Sequence, residues 1–261
     1  AEPRKSRDTS RPSRPKPSLN ATFPRSSKPL LAFTSGDPSG IGPEATLKAL
    51  ADARVRGACR PLLVGEMSAW KRAGWKPRLA PLFDTALGLQ APPYGSPSRE
   101  SGAASFSAVK AALGLAARGI VDGIVTAPIS KQAWHRAGVS YTDHTEYLGA
   151  QTGAAVQMIL GIPKRRIWCV LATRHVGLAA AVKQLSVSRV LHAALGLDRA
   201  LRRLGLKKRR LVLCGLNPHA GEEGLLGLEE RRVLIPAAAA ARAAGIDLSG
   251  PVAADAAWRQ H

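Results

Sequence analysis

Short apolar runs alternate with longer amphipathic segments along most of the chain. The apolar runs are four to six residues long, and their length and composition predict buried β-strands at 30–34, 61–64, 121–126, 167–172 and 211–216. Apolar positions at helical spacing predict helices at 45–50, 68–72, 104–118, 145–152, 186–204 and 228–244, the last with a kink at Pro236. Regular alternation of strands and helices predicts an α/β fold with a mostly parallel sheet.

Polar clusters follow four of the predicted strands directly. They occupy residues 35–37, 126–131, 173–175 and 217–219. Open α/β sheets bind ligands beyond the carboxyl ends of their strands. The recurrence of polar residues at these positions therefore predicts an active site along one edge of the sheet.

Two of these clusters contain a histidine. His175 and His219 each lie a few residues beyond the end of a predicted strand. If the two strands lie close together, both imidazoles face one cleft and suit zinc or another borderline divalent metal. The alternative is that each is a loop histidine bonded to the backbone.

A third histidine stands at a predicted helix start. In the stretch YTDHTE, Thr142 or Asp143 can cap the helix, and Glu146 fits a capping box. This pattern is explained by a helix start alone. Alternatively, His144 and the Thr145 hydroxyl bind an anionic group such as phosphate at the helix N-terminus.

The glycine-rich loop SGDPSGIGPE, residues 35–44, fits no common nucleotide motif. It lacks both the G-x-G-x-x-G fingerprint and the Gly-Lys-Ser/Thr ending of a P-loop. From its residues, the loop either approaches a ligand closely or is simply a tight turn from strand to helix.

Composition narrows the class of protein. The chain has 261 residues, enough for one large domain or two smaller ones, and no apolar run approaches the roughly 20 residues that span a bilayer. The net charge is +20, but the basic residues are spread along the chain and aromatics are only 5%, so we expect no specific nucleic-acid partner. Residues 1–28 are predicted to be a disordered basic tail. Three cysteines at long spacings favour reduced thiols and a cytoplasmic location.

Five motifs together resemble one enzyme family. SGDPSGIGPE, DGIVTAPISK, DHTEYLG, LATRH and LCGLNPHAGEEG…GLEE, in this order and spacing, are similar to those of 4-hydroxythreonine-4-phosphate dehydrogenases. The first motif is also similar to the opening loop of isocitrate and isopropylmalate dehydrogenases. The resemblance therefore implies an α/β fold of that type, with two subdomains around a cleft.

The resemblance also implies an activity. Members of the family oxidise 4-phosphooxy-L-threonine with NAD and release carbon dioxide, using a divalent metal (Zn, Mg or Co) at the interface of a homodimer. It implies that His175 and His219 are two of three metal ligands and that His144 and Thr145 contact the phosphorylated substrate. The implied first subdomain is 29–138, with 240–261 returning to it, and the implied second subdomain, 139–239, carries the metal ligands and the dimer interface.

One departure from the family affects the expected activity. The third metal histidine of the family belongs to a segment beyond position 261, so we predict a chain incomplete at its C-terminus, with an incomplete metal site and impaired turnover. Two alternatives stay open. The substrate is another phosphorylated hydroxy acid, such as threonate or erythronate phosphate, or the chain is a truncated protein without catalytic activity.

Overall fold

A computed structural model describes residues 26–258 of the chain. Contacts between residues divide the chain into a first unit that ends at Ala154 and a second unit that begins at Ala155. The predicted basic tail, residues 1–28, falls almost wholly outside the described residues. Within the described part, no helix is both long and apolar enough to cross a membrane.

The first unit is built on a four-stranded parallel sheet. Its strands are β1 (Leu30–Thr34), β2 (Arg60–Gly65), β3 (Leu82–Asp84) and β4 (Gly123–Val125), in the order β3-β2-β1-β4. Leu30 and Ala32 belong to one core cluster, whereas Phe33 belongs to another. Because successive side chains of a strand point to opposite faces, β1 is covered on both sides, which explains its unbroken apolar sequence.

Helices of the first unit pack against this sheet and against one another. They are α1 (Gly42–Ala51), α2 (Ala53–Ala58), α3 (Met67–Arg72), α4 (Arg99–Ala117), α5 (Lys131–Arg136) and α6 (His144–Thr152). On α4, the fully buried Ala108 and Ala112 share a cluster with Leu30 of β1. Their small side chains let this long helix lie close to the sheet.

The second unit contains two separate strand pairs. The strands β5 (Ile159–Ile162) and β6 (Ile167–Val170) form an antiparallel hairpin, whereas β7 (Leu211–Cys214) and β8 (Leu248–Val252) pair in parallel. Its helices are α7 (Leu178–Gln184), α8 (Val187–Arg203) and α9 (Ile235–Ala243). Leu197 and Leu201 of α8 pack with Ala238 and Ala241 of α9 to form the core of this unit.

The predicted α/β class with a mainly parallel sheet is confirmed. Several local features differ from the prediction, among them strands β3 and β8, which were not predicted. The β5–β6 hairpin was not expected. The single helix predicted at 228–244 is a π-helical segment, Glu230–Leu234, followed by α9. Pro236 has no N–H to donate to an α-helical ladder, and the wider π turn lies directly before it.

The contact units differ from the predicted subdomains at both boundaries. The rings of Tyr141 and Tyr147 lie 6.4 and 5.0 Å from that of Phe106 on α4, which places the start of the predicted second subdomain in the first unit. Strand β8 pairs with β7, which places most of 240–261 in the second unit.

Candidate active site

The loop that follows β1 is hydrogen-bonded to the loop that follows β4. The backbone N–H of Asp37 donates to the carbonyl of Pro128 at 2.9 Å. The buried Asp37 carboxylate accepts from the N–H and the hydroxyl of Ser39 at 2.8 and 2.7 Å. Gly36 has a φ of +63°, and a side chain there would collide with the Pro128 carbonyl. Two of the predicted polar clusters therefore meet at the edge of the parallel sheet.

His144 and Thr145 are the first two residues of α6. Asp143 caps the helix, because its carboxylate accepts from the N–H of Glu146 at 2.9 Å. The Glu146 carboxylate in turn accepts from the N–H and the hydroxyl of Thr142, both at 2.7 Å. The predicted helix start is confirmed. It places His144 and Thr145 at the positive end of the helix dipole, where anions are favoured.

The imidazole of His144 is partly buried, which disfavours its charged form. Burial lowers its pKa below the ordinary value of 6.5, an effect that the neighbouring Asp143 carboxylate opposes. The Nε2 atom is buried and has no hydrogen-bond partner among residues 26–258. An unsatisfied buried polar atom costs about 1–3 kcal/mol and calls for an explanation. A ligand that supplies the missing partner would remove that cost.

His175 and His219 lie in the second unit, beyond the ends of β6 and β7, as the sequence predicts. Both side chains are exposed, and both residues have positive φ angles, 52° and 51°. This left-handed conformation is unfavourable for non-glycine residues and is enriched at functional sites. However, no three His, Cys, Asp or Glu side chains of the described residues come together to hold a metal ion. The described residues therefore do not form a complete metal site, and the role of the two histidines as metal ligands stays a prediction.

The loop that carries His219 is a left-handed turn. From His219 to Glu223, five consecutive residues have positive φ angles. Leu216 and Asn217 lie directly before this turn. The buried Glu230 carboxylate accepts from their backbone N–H groups at 2.8 and 2.7 Å and from the Asn217 side-chain amide at 2.8 Å. Burial acts to raise the pKa of Glu230, but these hydrogen bonds outweigh it and lower the pKa overall. Glu230 is thus a charged anchor for the His219 loop.

Sequence reasoning assigned no role to this anchor. Glu229 contributes as well, since its carboxylate accepts from the Asn217 amide at 2.8 Å. Both glutamates belong to the GLEE stretch of the last family motif, so the signal was present. The sequence alone did not show this role, because Glu230 and its donors, Leu216 and Asn217, lie 13 or 14 residues apart in the chain.

The sequence matches one protein family over most of its length. The profile of the family described as pyridoxal phosphate biosynthetic protein PdxA matches residues 46–261. The chain is 38% identical over 250 residues to a 4-hydroxythreonine-4-phosphate dehydrogenase of Geobacter metallireducens, covering 87% of this chain and 73% of that relative. It is 35% identical over 248 residues to a D-threonate 4-phosphate dehydrogenase of Cupriavidus necator, covering 87% and 74%.

Solved structures agree with the sequence matches. The crystal structure of 4-hydroxythreonine-4-phosphate dehydrogenase from Klebsiella pneumoniae matches with a TM-score of 0.77 at 32% identity, covering 91% of this chain and 77% of that one. This match confirms the predicted dehydrogenase-type fold, and the relatives confirm the predicted oxidoreductase class. The chain therefore belongs to the PdxA family of pyridoxal phosphate biosynthetic proteins, the family that its motifs resemble.

Proposed function

We propose that this protein oxidises the secondary alcohol of 4-phosphooxy-L-threonine with NAD in pyridoxal phosphate biosynthesis. The alcohol carbon gives up a hydride and its hydroxyl a proton, which leaves a β-keto acid. The bond to the carboxylate then breaks and releases carbon dioxide. The carbon that carried the carboxylate takes up a proton, and the product is 3-amino-2-oxopropyl phosphate. Membership of the PdxA family supports this assignment.

The observation that carries the proposal is the state of His144. His144 is the first residue of α6, burial lowers the pKa of its imidazole, and its buried Nε2 has no hydrogen-bond partner among the described residues. A neutral imidazole offers one hydrogen-bond donor and one acceptor, so it recognises a ligand by geometry rather than by charge. The Thr145 hydroxyl and the N-terminus of α6 add donors suited to phosphate oxygens. We infer that His144 and Thr145 bind and orient the phosphorylated substrate.

The proposal includes two further groups. NAD, when bound, accepts the hydride. The family resemblance implies a divalent metal (Zn, Mg or Co), but the described residues do not assemble three ligands for it. We therefore propose His175 and His219 as two of its ligands, with the remaining ligands supplied by groups other than the described residues of this chain.

The test is NADH formation by the purified chain with 4-phosphooxy-L-threonine. We expect His144→Gln to raise KM on the order of ten-fold, because a hydrogen bond to a charged phosphate is lost or weakened. His135→Gln is the matched control, since His135 is an exposed histidine on α5. Equal KM values for both variants would contradict the role of His144.

A second substrate has specific support. The relative from Cupriavidus necator is a D-threonate 4-phosphate dehydrogenase, whose substrate carries a hydroxyl where 4-phosphooxy-threonine carries an amino group. The same assay with both compounds, compared by kcat/KM, decides between them. NADH formation with neither compound would contradict the proposed function and favour a protein without catalytic activity.

We also propose that the protein acts as a homodimer. Leu160 and Ile162 of β5 are 55% and 53% exposed and lie two residues apart, so they share one face of the strand. A joint apolar patch of this kind fits a subunit interface. Light scattering coupled to gel filtration tests this. A monomeric mass at micromolar concentration would contradict it.

A cytoplasmic location completes the proposal. Cys59, Cys169 and Cys214 are free thiols, which suit a reducing compartment. Cell fractionation with an antibody against the chain tests the location, and recovery outside the cytoplasmic fraction would contradict it.

A further inference from the structure

The imidazole of His144 lies against a buried tryptophan. The two ring centroids are 5.7 Å apart and the ring planes meet at 71°, an edge-to-face arrangement. We propose that Trp134, locked in place by Ser105, is a positioning residue that sets the orientation of the His144 imidazole for binding the phosphorylated substrate. This inference rests on the proposed function.

A single buried hydrogen bond locks the indole of Trp134. Its Nε1–H donates to the hydroxyl oxygen of Ser105 on α4 at 2.7 Å. The Ser105 hydroxyl donates its own proton to the carbonyl of Gly102 at 3.1 Å. Both side chains are 0% exposed, so water cannot replace either bond. The indole therefore cannot turn without leaving a buried donor unpaired.

The two helices that carry this pair are in very close contact. A Cβ atom at Gly102 of α4 would collide with the carbonyl of Ala133 on α5. Ala133 directly precedes Trp134 and is also fully buried. The close approach of α4 and α5 thus fixes where the indole leaves the backbone, and Ser105 fixes how far it rotates.

Other aromatic rings hold the helix that carries His144. Phe106, next to Ser105 on α4, lies 5.3 Å from Trp134 and 5.0 Å from Tyr147, both edge-to-face. Tyr147 is buried and lies three residues after His144 on α6. The backbone of α6 is therefore anchored through Tyr147, while the His144 ring is held through Trp134. Such double support is what keeps a binding group in a fixed geometry.

Ser105→Ala tests the inference, because it removes the acceptor of the Trp134 hydrogen bond and keeps the indole. Trp134→Phe removes the donor of the same hydrogen bond. The matched control is Trp75→Phe, which deletes an indole hydrogen bond to the Ala80 carbonyl. Trp75 packs against a different core cluster from the one that contains Trp134. We expect Ser105→Ala and Trp134→Phe each to raise KM for the phosphorylated substrate on the order of five-fold with kcat little changed. The double variant should match the worse single variant, because both changes break one bond.

A second readout is independent of turnover. In NMR spectra of the whole chain, we expect Ser105→Ala to weaken the nuclear Overhauser contact between the Trp134 and His144 rings and to broaden the His144 ring signals. The control should leave both as in the wild type. Unchanged ring contacts in Ser105→Ala would overturn the inference, as would KM values equal to that of the control. If the wild type oxidises neither substrate, the proposed function fails, and the ring contacts alone decide whether Ser105 and Trp134 position His144.

Discussion

Replacing Glu230 by alanine removes the acceptor that holds the loop before His219. The carboxylate accepts three hydrogen bonds, from the backbone N–H groups of Leu216 and Asn217 and from the Asn217 side chain. Alanine leaves all three donors without this carboxylate acceptor. Glutamine keeps one oxygen for the backbone donors, but it turns an amide N–H₂ towards the Asn217 amide, where two donors meet.

The size of the effect follows from these contacts. A hydrogen bond to a charged group contributes about 1.5–3 kcal/mol, but three bonds to one carboxylate are not additive, and Leu216 is an exposed residue. We therefore expect Glu230→Ala to lower the local opening free energy by about 3–5 kcal/mol. Glu230→Gln should cost about 1–2 kcal/mol, since it loses the charge and one of the three bonds.

The effect should also depend on pH in a defined direction. The pKa of Glu230 in the folded protein is lowered from its ordinary value of 4.5. A carboxyl group with a lowered pKa binds fewer protons when folded, so its stabilisation is fully present above pH 4.5 and is lost as the pH falls through the folded-state pKa. The difference between wild type and Glu230→Gln should therefore be constant near neutral pH and shrink in acid.

Hydrogen exchange with mass spectrometry measures the opening of residues 211–235 directly. Glu229→Gln is the matched control, because it removes the charge of the other carboxylate that accepts from the Asn217 amide and keeps an amide oxygen in its place. We expect faster exchange in the order Glu230→Ala, Glu230→Gln, Glu229→Gln. Equal exchange in wild type and Glu230→Ala would refute the view that this carboxylate anchors the loop.

Three further predictions follow from the same geometry. Gly221→Ala should lower the free energy of unfolding by about 1–3 kcal/mol in urea titrations, because φ is +84° and the new methyl would lie 2.7 Å from Glu230 Oε2; wild-type stability would contradict this. An NMR titration should place the midpoint of His144 below pH 6.5, with neutral imidazole favoured as the pH rises; a midpoint above 6.5 would show that burial does not dominate. Calorimetry should show that His219→Ala weakens Zn²⁺ binding by about ten-fold or more, because we propose His219 as a metal ligand; equal affinity in the wild type and the variant would contradict that role.

The sequence predicted those elements whose signals are local. Strand β1 was recognised because both of its faces are buried and its residues are uniformly apolar. The start of α6 was recognised because Asp143 and Glu146 act within a few residues of one another. Strand β8 was missed because its Gly250-Pro251 pair is typical of a turn, and the pairing with β7 that fixes it as a strand is tertiary.

The candidate site was predictable to a similar extent. The positions of His144, Thr145, His175 and His219 at element ends followed from the pattern of strands and helices. The hydrogen bonds of Glu230 to Asn217 and of Trp134 to Ser105 did not, because each joins residues on different elements. A glutamate or a tryptophan in a helical segment carries no local sign that its partner lies elsewhere in the fold.

The left-handed turn after Asn217 also sets a rule for engineering this protein. Glu222 and Glu223 are exposed and hold φ angles of 42° and 55°, values that only glycine adopts without steric penalty. Glycine at either position would remove about 1–2 kcal/mol of backbone strain. It would also make the unfolded chain more flexible, at a cost of about 0.4–1 kcal/mol, so the strain relief is the larger contribution. Mutational libraries aimed at thermostability should therefore include glycine at these two positions.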